Sequence, residues 1–198
     1  MTALLALAAA LTYGIADFCG GFASRRVPVM VVLALSQGVG LVGLLVAAPI
    51  VGARHVDQSD LLFGIAAGLI GLVGVFLLYR AFAIGRMSVV APLTAVLSAV
   101  VPVGVGLAIG ERPGILAELG IVIAIPAIAL SGGAGGSAAQ TGHPHPRSAT
   151  LMALLAGIGF GLFFVLLDQA GDSSGLWPLV AGRTATTIAA LEIGRAHV

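Results

Sequence analysis

Two ionisable residues of opposite sign sit inside otherwise apolar runs of this sequence, Asp17 near its start and Arg183 near its end. A charged side chain at the centre of a membrane helix costs about 2.5–3.5 kcal/mol on insertion scales, so such a residue faces a cavity or a partner by default. Asp17 could hold a proton or a cationic group; the alternatives are a pair with Arg25 or Arg26, or a cap on a break at Gly20-Gly21. Tyr13 lies one turn before it. Ser36 and Gln37 fall midway along the next apolar run, either as solute contacts or as glue between helices, where such hydrogen bonds average about 0.6 kcal/mol. Arg183 would suit an anionic or carboxylate group. Asp168, at the end of an apolar run, reads as an interfacial anchor.

Prolines shape a second set of candidates. Pro92 and Pro102 interrupt one apolar run and Pro126 the next, each freeing a backbone carbonyl. Such bends can line a cavity with polar backbone or can be plain kinks. Ser88 and Ser98 in the same run are candidates for helix interfaces, while Thr94 is expected to bond its own helix. Other chemistries find no support. His143 and His145 have no further metal ligands nearby, so no metal is expected, and Cys19 stands alone. A phosphate-binding loop, a nucleophile elbow and a His-Glu-x-x-His motif are all missing, so neither a cofactor nor ATP-driven transport by this chain is expected.

The elements that must position these residues are membrane spans. Of the 198 residues, 59% are hydrophobic and 9% charged, with a mean hydropathy of +1.14. A soluble domain carries about 25% charged residues, and a helix needs roughly 20 apolar residues to cross the bilayer. Six runs meet that length, at 3–22, 28–51, 61–84, 88–109, 115–131 and 150–168, and a partial seventh starts at 176. The expected fold is therefore an all-α polytopic membrane protein. The net charge of +1 argues against nucleic acid as a partner. The first run has no basic region before it and reads as a retained span rather than a signal peptide.

The connections between spans are short, which forces sequential helices to lie antiparallel, with one exception. Residues 132–149 form a Gly-, Ser- and Pro-rich linker that divides 1–131 from 150–191. The two parts align weakly without gaps, placing Tyr13 on Phe160 and Ser36 on Arg183. A duplicated unit of five helices would set its second copy upside down, an arrangement found in transporters whose solute site lies between the repeats. Gly64, Gly68, Gly71 and Gly74 run close to one helical face, and Gly157 and Gly161 repeat the pattern, as close-packed membrane helices require. Residues 192–198 interrupt the last apolar run. A coding sequence for them, GAG ATC GGA AGA GCA CAC GTC, resembles a common sequencing adapter, so they are expected to be foreign to the fold.

Several motifs together resemble a known family. Leu77-Leu78-Tyr79-Arg80-Ala81-Phe82-Ala83-Ile84-Gly85, Val89-Val90-Ala91-Pro92-Leu93, Pro102 and Gly110-Glu111-Arg112-Pro113 resemble the third and fourth helices and following loop of EamA-type proteins, in the drug/metabolite transporter superfamily. Tyr13 to Gly21, followed by Arg25-Arg26, is similar to the first helix of one bacterial branch. The resemblance covers about residues 1–190 and is strongest over 72–130. It implies ten helices in two inverted five-helix repeats, hence a chain cut inside its second repeat. It also implies export of small metabolites or drugs across a bacterial inner membrane without ATP, with a proton or another coupling ion as the candidate driving partner. Cytoplasmic termini are implied as well. The arginines disagree: Arg25, Arg26, Arg80, Arg86 and Arg147 fall on one side and only Arg54 and Arg112 on the other, which by the positive-inside rule puts the N-terminus outside.

The residues expected to line a solute site are Tyr13, Asp17, Gln37 and Arg183, with Pro92 and Pro102 shaping its wall. The leading expectation is a secondary transporter of small organic solutes working by alternating access. A membrane-embedded binding or assembly subunit, and an intramembrane enzyme on lipid-linked substrates, stand as the other classes. The sequence leaves the oligomeric state open.

Overall fold

The computed structural model of the protein describes residues 2–112 and 147–195 continuously and a broken set between 114 and 130. The helices are α1 (Thr2–Ala23), α2 (Val29–Val51), α3 (Gln58–Ile84), α4 (Met87–Ala108), α5 (Arg147–Asp168) and α6 (Trp177–Arg195), with a 3₁₀ turn at Asp172–Ser174 before α6. There is no strand among the described residues. Helices α1 to α5 are each long and apolar enough to cross a membrane; α6, which carries Arg183, does not meet that measure. Of the predicted fifth span, 118–124 are helical. His143, His145 and most of the linker lie outside the described residues. Helix α5 begins at Arg147, a turn earlier than the predicted span. Residues 192–195, expected to be foreign, continue α6.

The ends of these helices follow from their sequence. Pro28 opens α2, where a missing N–H costs nothing, and Gly52 closes it with φ at 75°, a conformation that glycine enters freely. Arg25 donates from Nε to the Phe82 carbonyl and from Nη2 to the Gly85 carbonyl, both at 3.0 Å. A guanidinium there satisfies carbonyls that α3 leaves open and faces the negative end of its dipole. Arg26 lies over the Phe22 ring, 4.5 Å from its centroid. Both arginines are thus engaged away from Asp17.

Helix α3 is the hub. Its buried Leu72, Leu78 and Phe82 pack in one core with Leu33 of α2, Val90 of α4 and Ala149, Ala153 and Ala156 of α5. Close approaches are made through glycine. A Cβ on Gly20 would run into the Tyr79 ring, so α1 can lie against α3 only because position 20 has none. By contrast Leu4, Leu7, Leu11, Ile15 and Phe18 of α1 are exposed, as suits a helix whose solvent is hydrocarbon. Thr94, predicted to bond its own helix, instead donates across to the Ala153 carbonyl at 3.1 Å, because α4 and α5 meet at Gly157. Ser98, predicted as an interface residue, donates to Ala95 of its own helix.

The packing partners also fix direction. Gly71 meets Phe163 and Gly74 meets Phe160, so α5 runs against α3; Gly64 meets Pro178 and Gly68 meets Gly182, so α6 runs with it. Short connections make α1 to α4 alternate. Helix α5 therefore opposes α1 and α6 opposes α2, the orientation that an inverted second copy requires.

Candidate functional site

Where α1 to α4 meet α5 and α6 they form a cavity of about 320 Å³. Tyr13 and Asp17 reach it from α1, Gln37 from α2, Thr94 and Ser98 from α4, and Arg183 and Thr186 from α6. The apolar wall comes from Leu72 and Val75 of α3 and from Phe160, Phe163 and Phe164 of α5. The volume lies at the lower end of the range for small-molecule sites, and the mix of aromatic wall with a few convergent polar groups is typical of them.

The polar centre is built around Gln37, only 3% exposed. Its Oε1 accepts from Arg183 Nη1 at 2.6 Å and from Thr186 Oγ1 at 3.0 Å. One amide oxygen from the first half thus holds the guanidinium of the second. Gly40, one turn further along α2, makes room: a Cβ there would stand 3.2 Å from Arg183 Cζ and Nε. Of the five N–H donors of a guanidinium, one is used by Gln37 and the planar fork is held in place. Ser36, which the repeat alignment set opposite Arg183, donates to Leu33 of its own helix instead. A residue on the neighbouring position, turned by about 100°, takes the role.

Asp17 faces the same cavity from α1, half-buried, and no hydrogen bond to it is made among the described residues. Tyr13 is 64% exposed at the cavity edge. A carboxylate and a guanidinium on different walls can each engage a different part of one solute.

The prolines do not line this cavity. Helix α4 runs unbroken through both, and it presents Ala91, Thr94, Ala95 and Ser98 as its cavity face. Pro92, one residue after Ala91, is rotated about 100° away from that face. Pro102 lies one turn beyond Ser98 on the same face, past the end of the cavity, and lines a second one with Glu111 and Asp168. The three phenylalanines of α5 and Thr186 were not expected at the site. The Phe160, Phe163, Phe164 spacing was the available signal, since it places three rings on one side of a helix.

Residues 1–133 match the EamA-like transporter family. The comparisons with curated proteins and with solved structures give no match.

Proposed function

Because the chain belongs to the EamA-like transporter family, we propose that it is a secondary exporter of small organic metabolites or drugs, with the cavity between its two helix groups as the solute site. In this reading residues 1–131 are the first repeat, 132–149 the linker, 150–191 the start of the second repeat, and 192–198 an artefact. The observation that carries the proposal is the convergence of Asp17 and Gln37 from one group with Arg183 from the other on one cavity. A transporter needs such a site because both halves must touch the solute for their relative movement to expose it to each side in turn.

The residues divide the work by chemistry. Arg183, oriented by Gln37, offers N–H donors to an anionic or carbonyl group. Asp17 accepts a proton or a cationic group, so a proton or another ion is the coupling partner. The phenylalanines of α5 cover the apolar part of the solute. In this reading the protein works in the plasma membrane, with its solute, a coupling ion and the lipid as its partners.

Asp17→Asn tests the assignment. It keeps the size but removes the charge and the titratable proton, so solute flux driven by an imposed ion gradient should fall at least about tenfold, while the elution profile of the purified protein stays unchanged. Flux equal to the parent protein would remove Asp17 from the site.

A further inference from the structure

The two halves are also joined outside the cavity, at the face where α2 leads into α3 and α5 leads into α6. Asp60, in the first turn of α3 and only 6% exposed, accepts the Gly171 N–H at 3.0 Å through Oδ1 and the Ser174 hydroxyl through Oδ2. Ser174, which has no exposed surface, also lies 3.2 Å from the His55 carbonyl. The Arg54 and His55 N–H groups converge on the Ser173 carbonyl at 2.9 and 3.3 Å. Gly175 (φ 56°) sits against the Gly52 carbonyl, and any side chain at 175 would strike it. The hydrogen bonds that join the α2–α3 connection to the α5–α6 connection thus gather at this face.

A buried carboxylate with two donors aimed at it from the other half is more than a loop contact. Directly beneath it α3 and α6 are pressed together backbone to backbone, Gly64 on Pro178 and Gly68 on Gly182, and these glycines with Leu179 form that end of the cavity wall. The loops and the crossing therefore stack as two layers between the cavity and this face. We propose that Asp60, with Ser174 and Gly171, is a latch that holds this face shut, and that alternating access requires its release. The inference rests on the transport reading for its purpose. Asp60 is suited to the task because its partners are a backbone N–H and a hydroxyl. Both can turn to water when the halves separate, and the same opening admits water to the Asp60 carboxylate, so no buried charge is left without a partner in the open state.

The test uses the whole protein in lipid nanodiscs and needs no solute. Amide exchange should show the Arg54, His55 and Gly171 amides opening together, and Asp60→Ala, which removes both hydrogen bonds to the carboxylate, should speed all three at least about tenfold. Asp60→Asn should stay close to the parent rate, because an amide can accept from Gly171 and donate to Ser174. In a Cys19→Ser background, a thiol introduced by Leu179→Cys should react with maleimide about tenfold faster when Asp60→Ala is added. Amides in the middle of α3 report whether the fold survives; if Asp60→Ala disturbs them, Ser174→Ala makes the milder cut and carries the same expectation. Unchanged exchange at the three amides would overturn the latch. Faster exchange with unchanged reactivity at position 179 would overturn the gate and leave a loop brace. Neither readout depends on solute movement, so failure of the transport reading would be seen separately.

Discussion

Gly68→Leu should leave the protein unable to assemble its helices. A Cβ at position 68 would stand 2.7 Å from the Cα and carbonyl oxygen of Gly182 and 2.8 Å from its carbonyl carbon. All three are backbone atoms of α6, so no rotamer change can make room. The helices must move apart, and the contacts of Gly64 on Pro178 and of Gly182 on Gly64 are then lost together. Overpacking of a well-filled interior costs about 1–3 kcal/mol where side chains can adjust; a backbone clash at a helix crossing lies beyond that range. In lipid, helix association rests on close packing because no hydrophobic drive separates one helix from hydrocarbon. The expected result is a fall of about 10 °C or more in the temperature at which the detergent-solubilised protein aggregates, with loss of the monodisperse peak. Gly43→Ala is the control: nothing lies within 4 Å of a Cβ there, and helix propensity alone favours the change by up to about 1 kcal/mol. A Gly68→Leu protein as heat-stable as Gly43→Ala would show that α3 and α6 do not cross as described.

The second large effect is at the polar centre. Arg183→Met keeps much of the aliphatic length and removes the donors, and solute flux or binding should fall by at least about thirtyfold, the size of effect seen when one member of a desolvated charged contact is truncated. Gln37→Leu should weaken the protein in a different way. It leaves Arg183 Nη1 without the acceptor now 2.6 Å away, a loss of about 1.5–3 kcal/mol for a hydrogen bond to a charged group. Thr186 is partly protected, since its hydroxyl also lies 3.0 Å from the Arg183 carbonyl. Combining the two substitutions separates the roles. If Gln37 acts through Arg183, the double variant should be no worse in flux than Arg183→Met alone and more stable than Gln37→Leu alone. Additive losses would instead make Gln37 an independent solute contact.

These effects bear on what the sequence could and could not disclose. The spans were legible because hydrophobic length is a nearly complete description of a membrane helix, and Gly52 and Pro28 mark their ends by backbone chemistry alone. Asp17 and Arg183 stood out for the same reason in reverse, as charges where hydrocarbon should be. Partners were harder to read. Gln37 and not Ser36 meets Arg183 because a shift of one position turns a side chain by about 100°, and apolar helices align too easily to fix that register. Thr94 bonds across to Ala153 for a reason visible only in three dimensions, the contact of α4 with α5 at Gly157. Pro92 and Pro102 read as cavity-shaping bends or plain kinks, and which face of α4 meets the cavity, Ala91, Thr94, Ala95 and Ser98, depends on packing that the proline positions do not encode. Asp60 escaped notice altogether. It sits where a loop ends, and only the return of the α5–α6 loop buries it.

The measurement that bears most directly on transport through this cavity is counterflow in ATP-free proteoliposomes. Vesicles containing the purified protein would be preloaded in turn with unlabelled organic anions, cations and zwitterions, then given the same solute in labelled form at trace concentration. A secondary transporter should accumulate label transiently for at least one class, saturably, and Arg183→Met should abolish the overshoot while the vesicles stay sealed. No overshoot for any class, from protein whose α3–α6 packing is intact by amide exchange, would contradict the account and leave a membrane protein whose cavity binds without moving its solute.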